Sequence, residues 1–184
     1  MANEKKPQPM PDAHFKGMVW LHRITDFIWN PKRRLKKIPL EKEMVVVDYG
    51  CGPGCYTLPV SKLVGPRGKV FAVDIQPLAI RMIEEKAVHE SLTNIEAILV
   101  DSYETGIQGS SADLVLLLDT LHQIGDCDAL FREIHRILKP AGILFMDPGH
   151  MKMSKAREIV ERTGLFAITE CRASDMLVTP KVKQ

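Results

Sequence analysis

The chain has 184 residues, 45% hydrophobic and 26% charged, the proportions of one soluble globular domain. Its net charge of +2 gives little support for nucleic-acid binding, and no apolar run approaches the length of a membrane helix. The opening MANEKKPQPMPDAH lacks the apolar centre of a signal peptide, so the expected address is the cytoplasm, with reduced thiols.

Residues 1–11 carry three prolines and several charges and read as a mobile tail. From Asp12 to Trp29, Phe15, Met18, Val19, Leu21, Ile24, Phe27 and Ile28 recur at helical spacing, with Asp12 as N-cap and Asn30-Pro31 as the stop. PKRRLKKIPL then predicts a short basic helix ended by Pro39. The remainder alternates. MVVVDY (44–49) is a strand, and YTLPVSKLV a helix if Pro59 falls in its first turn. GKVFAVD (68–74) is a strand, and residues 77–90 a helix opened by Pro77. IEAILVD (95–101) and ADLVLLLDT (112–120) are strands. Residues 128–140 are a helix, 142–147 a strand, and 152–164 a helix stopped by Gly164. Two short strands fit in the last twenty residues.

This order predicts an α/β protein: a Rossmann-like doubly wound sheet of seven strands, mostly parallel, with an antiparallel C-terminal hairpin strand and helices on both faces. In such a sheet, ligands bind beyond the C-terminal strand ends, at the switch point beside the first strand. The turn Gly50-Cys51-Gly52-Pro53-Gly54 is placed there. Its spacing is G-x-G-x-G, not the dinucleotide G-x-G-x-x-G, and no Lys-Ser or Lys-Thr follows as in a P-loop. Asp74 ends the second strand 24 residues past Gly50, where a carboxylate can accept from a ribose diol. Asp101-Ser102 ends the third strand and Asp119 the fourth. A rim of carboxylates suits a ligand with hydroxyls, an exocyclic amine and positive charge, and does not suit a pyrophosphate.

The residues VVDYGCGPG, FAVDI, LVDS, DLVLLLDTLHQI and LKPAGILFMDPG resemble the successive motifs of class I S-adenosylmethionine-dependent methyltransferases, in unbroken order from Met44 to Gly149. The GCGPG and LKPAG forms are similar to the broad subgroup that includes quinone-biosynthesis and arsenite methyltransferases. The resemblance implies S-adenosyl-L-methionine as cofactor and S-adenosyl-L-homocysteine as product. It places Gly50, Cys51, Gly52 and Gly54 beside the methionine part, with Asp48 either supporting the turn or reaching the amino group through water. It puts Asp74 on the ribose, Ile75 on the adenine, and Asp101 and Ser102 at the adenine amine; Asp119 is expected among the cofactor-binding residues and is also, with His122, a candidate base.

Methyl transfer needs an in-line nucleophile, and a base only where the nucleophile arrives protonated. His122, in the loop that meets the transferable methyl in this family, is the candidate base; a hydrogen-bonded histidine at a helix start is the plain alternative. Asp147 either caps its loop or acts, and His150 is a further candidate. No C-x-x-C pair occurs among Cys51, Cys55, Cys127 and Cys171, so no metal site is expected and the four read as reduced, mostly buried side chains. With no large insertion after the fifth strand, residues 12–40 are expected as a helical lid over a methyltransferase domain at 41–184. Lys32, Arg33, Arg34, Lys36 and Lys37 are either a solvated helix face or a lure for an anionic substrate or RNA. A small-molecule methyltransferase is the expected function, with an RNA or protein methyltransferase and a nicotinamide-dependent oxidoreductase as alternatives. The sequence leaves the acceptor and the oligomeric state open.

Overall fold

Three β-branched residues in succession, Val45 to Val47, open the first strand, and their side chains alternate between two separate cores. In the computed structural model, which describes residues 7–25 and 31–181, the helices are α1 (Asp12–Thr25), α2 (Pro31–Leu35), α3 (Thr57–Val64), α4 (Pro77–His89), α5 (Cys127–Ile137) and α6 (Met153–Thr163). The strands are β1 (Val45–Tyr49), β2 (Lys69–Asp74), β3 (Ile95–Leu99), β4 (Ala112–Leu117), β5 (Leu138–Met146), β6 (Phe166–Cys171) and β7 (Met176–Pro180). They form one seven-stranded sheet in the order β3-β2-β1-β4-β5-β7-β6. β1 to β5 pair in parallel, and β7 runs antiparallel between β5 and β6. This is the expected architecture.

Val46 packs with Val60 and Val64 of α3 and with Ile38, while Val47 packs in the cluster of Phe131 and Ile134 of α5 and Val160 of α6. Ala72 of β2 meets Ile80 and Ile83 of α4. Helices therefore cover both faces, and the central strands are buried on both sides, as their continuous apolar runs require. The chain winds outward from β1 to β2 and β3, then returns to place β4 on β1's other side. The β1–β4 boundary is thus the switch point, and the glycine turn leaves β1 beside it.

Strands β3 and β4 end two and three residues earlier than expected, and the junction of α5 with β5 differs most. Helix α5 stops at Ile137, not at Pro140, and Leu138 already pairs with Ala112 as the first residue of β5. Pro140 supplies no N–H for a helical bond and biases Lys139 toward extended backbone. Asp126, not singled out from sequence, caps α5 by accepting from Ala129 N–H at 2.8 Å. Pro59 does lie in the first turn of α3, and Gly164 ends α6 in left-handed backbone at φ 69°.

Phe27, Ile28 and Trp29, together with residues 1–6, lie outside the described residues. Among the described residues no helix is long and apolar enough to cross a membrane.

Candidate functional site

The glycine turn is tied down from inside. The N–H groups of Gly50 and Cys51 donate to Val73 O at 2.8 and 3.1 Å, that of Gly52 to Asp74 Oδ2 at 2.8 Å, and that of Gly54 to Cys51 O at 3.1 Å. Gly50 has φ 78°, and a Cβ there would strike the side chain of Thr120, in the loop after β4. Gly54, at φ 86°, faces Leu58 of α3 just as closely. Gly52 has φ 50° and open space where a Cβ would stand. Backbone there can lie directly against a ligand.

Asp48 lies buried behind this turn, where Thr57 Oγ1 donates to its Oδ2 at 2.6 Å. Burial pushes its carboxyl up to about 6, against the pull of the Thr57 bond. The Asp48 side chain thus links the end of β1 to the start of α3. The Cys51 thiol is buried against Ala72, Ile80 and Ile83, so of Cys51 only backbone belongs to the turn's surface. All four cysteines are free, but only Cys51 is buried; Cys171 is exposed on β6, because β6 is the sheet's outer strand.

Asp74 is half-buried at the end of β2. Its Oδ1 accepts from Gln76 N–H at 2.8 Å, and its Oδ2 from Gly52. Burial raises its pKa, and these backbone donors pull it back. The Cys51 thiol also approaches Oδ2, at 4.0 Å, and a carboxylate with about four lone-pair sites keeps acceptor capacity beyond these bonds. Gln76 Oε1, two residues on, is buried without a hydrogen-bond partner, while Gln76 Nε2 donates to Asp12 Oδ1 of α1 at 3.0 Å. Next to Asp74 an open cavity of about 480 Å³ is lined by Ile75, Ile98, Val100 and Asp101, and by Pro7 and Pro9 of the N-terminal segment. That volume falls within the range of small-ligand sites. Ser102 lies just past the cavity wall, where its Oγ accepts from Glu104 N–H at 3.3 Å. An open-sided glycine turn, a buried oxygen without a partner and an apolar cavity edged by carboxylates fit an adenosine-bearing cofactor.

A second polar group stands across the switch point. Asp119, two residues past β4, adopts φ 50°, rare for a residue with a side chain. Its Oδ1 lies 3.8 Å from His122 Nδ1 and 3.9 Å from His150 Nε2. The two imidazoles meet edge to face, with centroids 4.7 Å apart. Burial lowers the His122 pKa, partly offset by Asp119, so its imidazole is neutral near pH 7. His150 was named from sequence only as a further candidate; the fold sets it in the same group as His122.

Asp147 organises this corner. Its Oδ1 accepts from Asp119 N–H at 2.9 Å and from Gly149 N–H at 2.8 Å, and its Oδ2 accepts from Arg34 at 2.5 Å. The loops after β4 and β5 are thereby joined. Arg34 also donates to Tyr56 Oη at 3.4 Å, at the start of α3. Lys37 pairs with buried Asp175 at 3.1 Å. Two members of the basic run are therefore sheet anchors, and Ile38 beside them is core. Sequence reading missed this because the partners lie more than a hundred residues away. It also missed Glu133, buried on α5, which accepts from Thr105 N–H at 2.8 Å and from Arg136, fastening the loop after β3.

The profile of the family described as "Methyltransferase domain" matches residues 40–184. Demethylmenaquinone methyltransferase from Staphylococcus aureus is 30% identical over 117 residues, covering 64% of this chain and 47% of that protein. The chain thus spans about half the length of the curated relatives it matches. Among solved structures, a SAM-dependent methyltransferase from Aquifex aeolicus aligns with TM-score 0.75 at 22% identity, over 82% of this chain and 89% of that one. A TehB-like SAM-dependent methyltransferase from Corynebacterium glutamicum aligns with TM-score 0.71 at 16% identity, over 93% of this chain and 100% of that one. The chain belongs to the methyltransferase domain family, with the Rossmann-like fold of the class I S-adenosylmethionine-dependent methyltransferases.

Proposed function

We propose that this methyltransferase carries the methyl group of S-adenosyl-L-methionine to a small organic acceptor at the ends of β4 and β5. One observation carries the reading. The N–H groups of Gly50, Cys51 and Gly52 are taken by Val73 and Asp74 of β2, and that of Gly54 by Cys51 O, so these four offer no nest of donors to a pyrophosphate. Asp74 ends β2, Asp101 and Asp119 stand just past the ends of β3 and β4, and their carboxylates favour a ligand bearing ammonium and sulfonium charge.

When bound, the cofactor supplies a methyl group on a cationic sulfur, with a neutral thioether as leaving group. Asp74 would accept from the ribose hydroxyls, and Ile75 and Asp101 would hold the adenine in the cavity they line. Thr120 Oγ1 donates to Gly50 O at 3.4 Å and joins the turn to the loop that carries Asp119 and His122, which would set the spacing on which an in-line transfer depends. The neutral imidazole of His122 can take a proton from an acceptor that arrives protonated.

The S. aureus relative is named for a demethylmenaquinone acceptor, which supports a small molecule here. The tie of Arg34 and Lys37 to buried carboxylates removes much of the support for RNA as acceptor. In this reading the segment before β1 has two parts. α1 borders the adenosine side, through Asp12 on Gln76 and through Lys16, Val19 and Trp20 beside Met82 of α4. Residues 34–38 are fixed to the sheet beside the acceptor.

Thermal unfolding with S-adenosyl-L-homocysteine and with NAD tests the proposal. A ligand at 100 times its Kd adds about 2.7 kcal/mol. A rise in Tm with S-adenosyl-L-homocysteine and none with NAD is expected; a rise with NAD alone overturns the reading.

A further inference from the structure

We propose that Asp119, His122 and His150 bind a divalent transition-metal ion at the acceptor end of the site. The proposal rests on the methyltransferase reading for the ion's purpose, though not for its binding.

The three side chains each present one ligand atom, and these atoms lie within 4.8 Å of one another. Around an ion with bonds of about 2.1 Å, neighbouring ligand atoms stand roughly 3–3.4 Å apart. The observed separations, 3.8 Å from Asp119 Oδ1 to His122 and 3.9 Å to His150, close with small turns of the Asp119 and His150 side chains, 44% and 80% exposed. His122 Nδ1 is buried and has no hydrogen-bond partner. A buried nitrogen without a partner is costly, and an ion among these three groups would satisfy it.

The backbone beneath the group is fixed in place. Asp147 Oδ1 holds the N–H groups of Asp119 and Gly149 together, and Arg34 holds Asp147 from its other oxygen. Asp119 keeps its left-handed φ under that constraint. Gly149, at φ 56°, leaves room for the His122 ring, because a Cβ there would collide with Nδ1. Outer groups that orient metal ligands in this way are typical of working metal sites.

Two imidazole nitrogens and one carboxylate oxygen suit zinc, iron(II), manganese(II) or cobalt(II) better than magnesium or calcium, which prefer oxygen throughout. Three protein ligands leave positions open for the acceptor. An acceptor with two neighbouring oxygens, such as adjacent hydroxyls or a hydroxyl beside a carbonyl, could chelate there, and the ion would ease loss of the hydroxyl proton. His122 then serves as a ligand in place of the base role given it above, and solvent water takes the proton that the ion loosens.

The test uses the full chain, stripped with a chelator, desalted and titrated with Co²⁺. One equivalent should give visible ligand-field absorption, without the near-ultraviolet thiolate band that the cysteines would produce, and Zn²⁺ should displace it. In competition with a chelating dye, His150→Ala and Asp119→Asn should each weaken Zn²⁺ binding at least tenfold. His89→Ala, exposed at the end of α4, should leave it unchanged. Absence of stoichiometric binding, or binding that survives both substitutions, overturns the proposal. S-adenosyl-L-homocysteine binding, measured by calorimetry on the same samples, separates the two readings. Cofactor binding without metal sinks the metal site alone; metal without cofactor sinks the methyl-transfer reading alone.

Discussion

Arg34 donates to Asp147 at 2.5 Å across 113 residues of chain, and so fixes the segment before β1 to the loop after β5. Asp147 is 3% exposed, whereas Arg34 keeps partial contact with water. Removing one member of a buried pair leaves an uncompensated charge, at a cost of about 3–5 kcal/mol, reduced here by the solvent around Arg34. Arg34→Met is expected to lose roughly 2–3 kcal/mol in urea unfolding at pH 7.5. Adding Asp147→Asn should recover part of this, since an amide oxygen still accepts from Asp119 and Gly149. An unchanged midpoint in Arg34→Met would show the pair to be ornamental.

Gly50 and Gly52 should separate folding from binding. Ala at a left-handed position costs about 1–2 kcal/mol in either place. At Gly50 the new methyl also meets Thr120, so Gly50→Ala should be the less stable variant, partly rescued by Thr120→Ala. At Gly52 the space is open, and Gly52→Ala should fold yet bind S-adenosyl-L-homocysteine at least tenfold more weakly by calorimetry. Equal affinities for the wild type and Gly52→Ala would place the ligand elsewhere.

Asp48 should write itself into the pH dependence of stability. Its carboxyl is raised from 3.8 to about 6 in the folded protein, chiefly by burial. The folded state therefore holds the proton more tightly than the unfolded chain. The corresponding stability is present at low pH and lost as pH rises through the window from about 4 to about 6, by roughly 3 kcal/mol. Asp48→Asn keeps an acceptor for Thr57 and carries no charge. It should be more stable than the wild type at pH 7.5 and no more stable at pH 4; equal differences at both pH values would rule out this titration.

Asp74 holds the turn, and the proposed ribose contact would give it a second task. Asp74→Ala removes the acceptor for Gly52 and Gln76 N–H, so it should lower stability by about 1–3 kcal/mol and weaken cofactor binding. Asp74→Asn retains one acceptor oxygen and should cost less stability for a similar loss of affinity. If calorimetry shows unchanged affinity in both, Asp74 does not touch the ligand.

What could be read from sequence follows the range of the forces involved. Strand and helix periodicity, Pro59 in a first turn, Gly164 as a stop and the G-x-G-x-G turn are local signals, and each of them matches an observed element. The end of α5 was misplaced because strand pairing with Ala112 outweighs the apolar helical pattern through Leu138. The links Arg34–Asp147, Lys37–Asp175 and Glu133–Thr105 carry no local mark, since charge along the chain does not say which carboxylate will be buried opposite it. His122 and Asp119 were legible from one loop. Their meeting with His150 required knowing that β4 and β5 are neighbours in register, which the pairing of Leu117 with Met146 supplies.

The N-terminal segment gives the sharpest contrast. As a single lid, residues 1–40 would be removable, leaving a folded domain. The structure divides them. Up to Thr25 they touch the domain through Asp12 on Gln76, the buried Phe15 and the prolines at the cavity, and Trp20 remains 66% exposed. Arg34, Lys37 and Ile38 instead reach Asp147, Asp175 and the Val46–Val64 cluster. Deleting residues 1–30 should therefore leave a cooperative urea transition and a weaker affinity for S-adenosyl-L-homocysteine. Deleting residues 1–40 strands Asp147, takes one of two basic partners from Asp175 and exposes the face that Ile38 covers. Its cost should exceed about 5 kcal/mol, comparable with the whole stability of a domain this size. That variant should unfold or aggregate at 25 °C. If both deletions unfold at the same urea concentration, the ion pairs of residues 34–38 contribute nothing and the whole segment is a lid.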